Sequence, residues 1–265
     1  MQEAKRLAFL NDLYGLEGKT AVCIGGGGVL CGEMAMGLSM AGAHIIVADV
    51  VEEAGRARVQ AIEQQGGTAQ FFQVDVQVRE SMVEVTRALA VQGRDCDILI
   101  NAPGVNSKKP FLDVDDDEWA RIIAINLTGV RNSCQVFGKF MIQHETHGSI
   151  INIGSVTSFC PLSGVSTYCV TKVGVVSLTK SLAAEWAPRH IRVNAICPGF
   201  FPAEQNRKVL SPDRVEAIMR QTPQHRFGEP PELVPTVLLL ASPVAGSYIT
   251  GAAYSVDGGF TAFTL

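Results

Sequence analysis

From Lys19 onward the chain alternates between short apolar runs and longer stretches with helical spacing. The apolar runs are TAVCI (20–24), HIIVA (44–48), AQFFQV (69–74), DILI (97–100), SIINI (149–153), IRVNAI (191–196) and AAYSV (252–256). They are rich in β-branched residues and continuous instead of alternating, the pattern of strands buried on both faces of a parallel sheet. Segments 30–42, 52–65, 79–91, 116–143, 167–187 and 231–241 carry the helical period. This order predicts an α/β protein, one doubly wound domain with helices on both faces of its sheet and right-handed crossovers. Residues 1–18 read as an N-terminal extension and 19–265 as the single domain. The proline-punctuated stretch 199–230 predicts a loop-rich cover over a ligand crevice.

Composition narrows the class without changing this picture. The 265 residues are 47% apolar and 18% charged, with a net charge of −4. That balance suits a globular domain with a large core and gives no electrostatic reason to expect nucleic acid or an acidic membrane as partner. Seven scattered cysteines without a C-x-x-C pair read as buried small residues of a reducing compartment. The opening MQEAKRLAFLNDLYGLEGK mixes acids with bases around one short apolar run, unlike a signal peptide. A cytoplasmic location is the expectation.

The first strand-to-helix turn, IGGGGVLCG (24–32), places a glycine cluster where a doubly wound sheet meets a pyrophosphate. Glycine reaches positive φ there and lets backbone N–H groups approach phosphate, with the helix dipole adding to the attraction. By itself a glycine-rich turn is a weak signal. Asp49 closes the second apolar run, where an acid accepts hydrogen bonds from an adenosine ribose and repels a 2′-phosphate. Asp75, in QVDV after the third run, is placed to meet the adenine.

Downstream, Ser155 stands just past the fifth run in INIGSVTSF, and Tyr168 and Lys172 follow in YCVTK. A tyrosine and a lysine four apart share one helix face. The expectation is that the lysine's charge lowers the phenol pKa and makes Tyr168 a general base. Ser155 is placed to hydrogen-bond a substrate oxygen, and Asn126, mid-helix in AINLTG, to hold a water linking Lys172 to solvent. Each residue alone has an ordinary explanation as a cap or a surface pair. Their order behind a glycine loop and an acid makes them one constellation.

These motifs, with NAPG (101–104), CPG (197–199) and VDGGF (256–260), resemble the short-chain dehydrogenase/reductase family of the classical type, over about residues 18–261. The resemblance implies a Rossmann-type fold with a seven-stranded parallel sheet, a nicotinamide cofactor and reversible alcohol–carbonyl oxidoreduction. It implies Tyr168 as acid/base, Lys172 on the nicotinamide ribose, Ser155 on the carbonyl and Asn126 in a proton relay. Cofactor contacts are implied for Gly25, Gly27, Gly28, Val29 and Leu30 of the loop, and for Asp49, Asp75 and Val76. They are likewise implied for Asn101, Ala102 and Pro103 after the fourth strand, for Pro198, Gly199 and Phe201 after the sixth, and for Tyr168 and Lys172 themselves. A homotetramer built through 116–143, 167–187 and the C-terminal segment is also implied.

The loop departs from the family's T-G-x-x-x-G-x-G: Ile24, Val29 and Cys31 replace the threonine and two glycines. Pro103 removes a backbone N–H beside the cofactor, and Ala203 replaces a threonine. The loop, PGFFPAEQNR and the ending VDGGFTAF are similar to a subgroup of D-mannonate oxidoreductases (fructuronate reductases) and other sugar-acid or polyol dehydrogenases. Asp49, with no basic residue at Gly28, Val50 or Val51, favours NAD over NADP. Lys108, Lys109, Asn206 and Arg207 are candidates for a substrate carboxylate. Two alternatives stay open: a 3-oxoacyl carrier-protein type reductase using NADPH, and a non-catalytic dinucleotide-binding scaffold. HETH (144–147) lacks the H-E-x-x-H spacing, so no metal is expected.

Overall fold

The computed structural model describes residues 2–201 and 212–262. Strands Thr20–Ile24 (β1), His44–Asp49 (β2), Thr68–Gln73 (β3), Ile98–Asn101 (β4), Ser149–Ile153 (β5), Arg192–Pro198 (β6) and Ala253–Val256 (β7) form one sheet. Their order is β3-β2-β1-β4-β5-β6-β7, and every neighbouring pair is parallel. Each predicted run therefore became a strand, with ends shifted by no more than two residues. The continuous apolar runs mark the interior: β1 and β5 are buried at every position, whereas the edge strand β3, with Gln70 and Gln73, is partly exposed.

Helices Val29–Met40 (α2), Glu52–Gln64 (α3) and Val234–Ala241 (α9) lie on one face. Helices Arg79–Val91 (α4), Gly129–Gln143 (α6) and Ser166–Trp186 (α7) lie on the other. Strand alternation divides the side chains between the two layers. Ile98 and Ile100 face the α2 side, and Leu99 faces the α6 side. The predicted helix 116–143 is two helices, Asp116–Ile123 (α5) and α6, joined by a π-helical turn over Ala124–Thr128.

Two helices were not anticipated. Gln2–Tyr14 (α1) occupies the predicted extension and buries none of its side chains. It is tied down at its end, where Ser242 Oγ donates to Leu13 O (2.6 Å), Leu16 N donates to Ala41 O (2.7 Å) and Leu16 enters the core. Pro212–Gln221 (α8) stands inside the stretch expected to be loop-rich, with its proline in the first turn, where a missing N–H costs nothing. Among the described residues no helix is long and apolar enough to cross a membrane.

Candidate active site

The strand order reverses between β1 and β4, and ligands of doubly wound sheets bind outside the carboxyl ends at that point. Two adjoining cavities open there, of about 280 Å³ and 540 Å³, sharing Gly25, Gly28, Ala102, Gly104 and Val105 in their walls. A larger groove of about 650 Å³ lies at the opposite end of the sheet, by Ile191 and Arg192, and contains none of the predicted constellation.

The smaller cavity is lined by Asp49, Asp75, Val76, Ala102 and Pro103. Asp49 ends β2, where its Oδ2 accepts from Gly27 N and its Oδ1 from Val51 N, both at 2.9 Å. Each carboxylate oxygen keeps a further lone pair for a ligand hydroxyl. Asp75 Oδ1 accepts from Gln77 N at 2.9 Å.

The glycine loop holds its shape without the family's threonine. Gly25 sits at φ +79°, its N–H donating to Ala48 O at 2.8 Å, and a Cβ there would lie 3.0 Å from Ala102 O. Gly28 N closes a turn onto Gly25 O at 3.0 Å, and Cys31 Sγ contacts Ile24 O at 3.7 Å. Gly28 is the N-cap of α2 with no side-chain cap, so the first-turn N–H groups at Val29, Leu30 and Cys31 lack a capping partner. Uncapped donors at the positive end of a helix, behind a glycine turn, fit a pyrophosphate.

The larger cavity contains Ser155, Tyr168 and Lys172. Ser155 leaves β5 in extended conformation and caps a tight turn over Val156–Ser158, its Oγ accepting from Thr157 N at 3.1 Å. Ser158 Oγ donates to Lys172 O at 2.9 Å, which fastens this turn to α7. Lys172 is fully enclosed and donates from Nζ to Ile153 O at 2.8 Å, with its charge 5.5 Å from the Tyr168 ring centre. Burial lowers its ammonium to about 8. The expectation of a lowered phenol is corrected: burial pushes Tyr168 above its ordinary range, and a hydrogen bond from Ser155 draws it partly back. The lysine directs its hydrogen bond to a backbone carbonyl instead of the phenol.

Asn126 is completely buried in the π-helical turn, an irregularity frequent at functional sites. Its Oδ1 accepts from Val105 N (2.8 Å) while Nδ2 donates to Val105 O (2.9 Å) and Thr171 Oγ1 (3.3 Å). Thr171 Oγ1 in turn donates to Tyr168 O at 2.7 Å. A Cβ on Gly104 would lie 3.8 Å from both Asn126 Oδ1 and Lys172 Nζ, so the four predicted residues converge on one end of the chamber. The arrangement can deliver a proton and a hydrogen bond to one substrate oxygen.

Several predicted contacts fall elsewhere. Asn101 turns its side chain into the core, with Nδ2 donating to Asn152 Oδ1 at 2.9 Å, because alternation puts it on the face of Leu99. Pro198 is buried as the last residue of β6 and lines neither cavity, whereas Gly199 lines the chamber. Phe201 borders a separate cavity of about 210 Å³ with Arg226 and Glu232. Gly27 supports Asp49 from beneath the cavities. Lys108 is exposed and lines neither cavity, and Lys109 is engaged by Asp115 (3.1 Å) and Glu118 (2.6 Å). Ala203, Asn206 and Arg207 lie outside the described residues.

A family model described as Enoyl-(Acyl carrier protein) reductase matches residues 30–261. Galactitol 2-dehydrogenase (L-tagatose-forming) of Cereibacter sphaeroides is 34% identical, over 94% of this chain and 97% of its own. The chain belongs to the short-chain dehydrogenase/reductase family. Its fold is that of solved family members. A gluconate 5-dehydrogenase from Burkholderia cenocepacia J2315, in complex with NADP and tartrate, superposes with a TM-score of 0.90 at 31% identity, covering 96% of this chain and 100% of that one. A protein provisionally named D-mannonate oxidoreductase from Haemophilus influenza, with bound NAD, gives 0.91 at 31% identity, covering 96% and 99%. Like these relatives, the chain is an oxidoreductase of this family, which binds NAD(P).

Two features of this family member were missed in the sequence. Thr157, two residues past Ser155, lines the chamber. Arg58 of α3 lies against the first turn of α2, where a Cβ on Gly32 would collide with its guanidinium. Arg58 makes no hydrogen bond or ion pair among the described residues, and its charge is felt by Cys31. Neither has a local signature: one needs the chamber wall and the other the packing of two helices. In HETH, His144 Nδ1 lies 3.1 Å from Asp95 Oδ1, and the ring of His147 meets that of His190 at a tilt, with centroids 4.6 Å apart.

Proposed function

We propose that this chain interconverts a secondary alcohol and a ketone on a sugar acid or polyol, with NAD as cofactor. The observation that carries the reading is the meeting of Asn126, Ser155, Tyr168 and Lys172 at the end of a chamber that adjoins the Asp49 cavity. Uncapped N–H groups of α2 and the glycine turn would hold the pyrophosphate, and Asp49 the adenosine ribose. When bound, the nicotinamide dinucleotide supplies or takes up the hydride.

The rest is the work of this chain. Tyr168 Oη gives its proton to the substrate oxygen in reduction and takes it back in oxidation. Ser155 Oγ donates its one hydrogen bond to that oxygen, steadying its charge, and can accept one from the phenol. Lys172 places a cation beside the phenol ring, and Asn126 fixes the backbone of the 101–105 loop that forms the chamber floor. Names and ligands of relatives, a galactitol dehydrogenase and a tartrate complex among them, support a hydroxylated substrate.

NAD is preferred because the Asp49 carboxylate is hydrogen-bonded to the loop backbone at the end of β2, where it would repel a 2′-phosphate. One observation favours a second reading, use of NADP: the Arg58 guanidinium, with no hydrogen bond or ion pair among the described residues, lies against Gly32 in the first turn of α2. The test is reduced-cofactor absorbance over a panel of polyols and sugar acids with each dinucleotide. Turnover is expected with NAD, falling about 10²–10⁴-fold in Tyr168→Phe while cofactor affinity holds. No turnover with any substrate refutes the reading; if dinucleotide still binds by calorimetry the dinucleotide-binding scaffold is left, and if it does not, that alternative falls too.

A further inference from the structure

Asn126 and Thr171 are both completely buried, and their contacts leave neither side chain free to turn. One edge of the Asn126 amide pairs with the backbone of Val105: Oδ1 accepts from the N–H at 2.8 Å, and Nδ2 donates to the C=O at 2.9 Å. That pairing uses one of the two amide hydrogens. The other is given to Thr171 Oγ1 at 3.3 Å. The threonine hydroxyl has a single hydrogen, which it donates to Tyr168 O at 2.7 Å, so its oxygen is left as an acceptor. A flipped amide would set its NH2 against Val105 N–H and its oxygen against a hydroxyl whose hydrogen is already used. Both ends reject it.

Val105 ends the short segment that both cavities share as a wall, through Ala102, Gly104 and Val105. Few hydrogen bonds hold this segment. Ala102 N donates to Ile24 O at 3.0 Å, and Pro103 has no N–H to give. Among the described residues, the next tie from this backbone to another element is the Asn126 pair at Val105, and the one after it is Lys109 N to Gly164 O at 2.9 Å. The wall therefore depends on one amide, and the amide on its setting against α7. Thr171 itself lines neither cavity.

We propose that Thr171 is a positioning residue for ligand binding. Its oxygen, aimed by the bond to Tyr168 O, locks the Asn126 amide, and the amide locks the 102–105 wall shared by the dinucleotide and substrate cavities. This inference rests on the dinucleotide binding proposed above and assigns part of it to a residue outside both cavities. The helix that carries Tyr168 and Lys172 thus also fixes the wall facing them, through a hydroxyl one position before the lysine. The role belongs to the hydroxyl and not to the bulk of the side chain, so valine, of the same shape, loses it and serine keeps it.

The test measures NADH binding by calorimetry and hydrogen exchange at the Val105 amide in the full-length protein. Wild type is compared with Thr171→Val and Thr171→Ser, and the valine change is repeated in Asn126→Ala. Thr171→Val should raise the Kd for NADH about fivefold or more, the loss expected for one buried hydrogen bond. It should also speed exchange at Val105 about tenfold or more, since that amide is held by Asn126. Thr171→Ser should stay within about twofold of wild type in both, and in Asn126→Ala the valine change should add less than about twofold. An unchanged Kd in Thr171→Val overturns the role while leaving dinucleotide binding intact. An equal loss in Thr171→Ser overturns it in favour of packing, and a full effect persisting in Asn126→Ala overturns the route through the amide. A wild type that binds neither NADH nor NADPH removes the cofactor reading, and this inference with it.

Discussion

Lys172→Met should change the pH dependence of stability in a direction fixed by desolvation. Lys172 is 3% exposed, and burial brings its ammonium from an ordinary 10.5 to about 8. That gap corresponds to about 3 kcal/mol of penalty on the charged form. Below pH 8 the folded and unfolded chains both hold the proton, and the folded state carries the whole penalty. Between pH 8 and 10.5 the unfolded chain binds more protons than the folded one, so stability from this group rises with pH. Tyr168 and the buried thiols of Cys31, Cys96 and Cys134 act in the opposite sense, since burial raises them and their contribution is lost as pH climbs. The measurement is therefore the difference between wild type and Lys172→Met in urea unfolding, which cancels the distant thiols and retains Lys172 with its interacting neighbours Tyr168 and Cys197. Wild type should gain on the variant by about 1 kcal/mol between pH 7 and 9, and by about 2–3 kcal/mol by pH 10. The neutral-pH value alone decides little, because the variant also leaves the Ile153 carbonyl without its donor, at a pH-independent cost of about 1–3 kcal/mol. A difference that stays flat from pH 7 to 10 would refute the argument that the lysine is held as a desolvated cation.

Two further outcomes follow from the loop. Gly25→Ala should weaken dinucleotide binding at least tenfold by calorimetry and destabilise the fold by about 1–3 kcal/mol, because the residue sits at φ +79° and its Cβ would press on Ala102 O. Arg58→Ala should leave the KM for NAD within about twofold and raise that for NADP about fivefold or more, if the unpaired guanidinium supplies attraction for a 2′-phosphate at the ribose end. Equal changes for the two cofactors would remove Arg58 from cofactor choice.

The middle of the sheet was legible because strands such as β1, β2, β4 and β5 are buried along nearly their whole length, so continuous apolar runs announced them. α1 was not legible, since it buries no side chain and so carries no apolar stripe tied to a core. α8 was hidden by the prolines around it, one of which opens the helix. The constellation of Asn126, Ser155, Tyr168 and Lys172 was legible from order and spacing, and the structure brings the four together. Asn101 was misplaced because a motif says nothing of strand phase: register pairs it with Asn152, and alternation sends both side chains into the α6–α7 layer. Lys109 looked free in the sequence, but the acidic start of α5 claims it. Thr157 and Arg58 carry no signal in one dimension. The first matters through its place in the chamber wall, and the second through a helix contact.

The electrostatics also change what the serine has to do. Burial drives Tyr168 and Lys172 toward their neutral forms together, the phenol upward and the ammonium down to about 8. Proximity of a lysine is therefore not enough to make this tyrosine a base, because the enclosure that brings the two together opposes ionisation of each. Within the chain, the interaction that draws the phenol back is the hydrogen bond from Ser155, a residue fixed from both sides by the 156–158 turn and its attachment to α7. Under the proposed function the one hydroxyl hydrogen of Ser155 therefore serves either the phenol or the substrate oxygen, not both at once. The turn that holds it is fastened to α7 through Ser158, so one short backbone segment sets how the Ser155 hydroxyl meets the phenol.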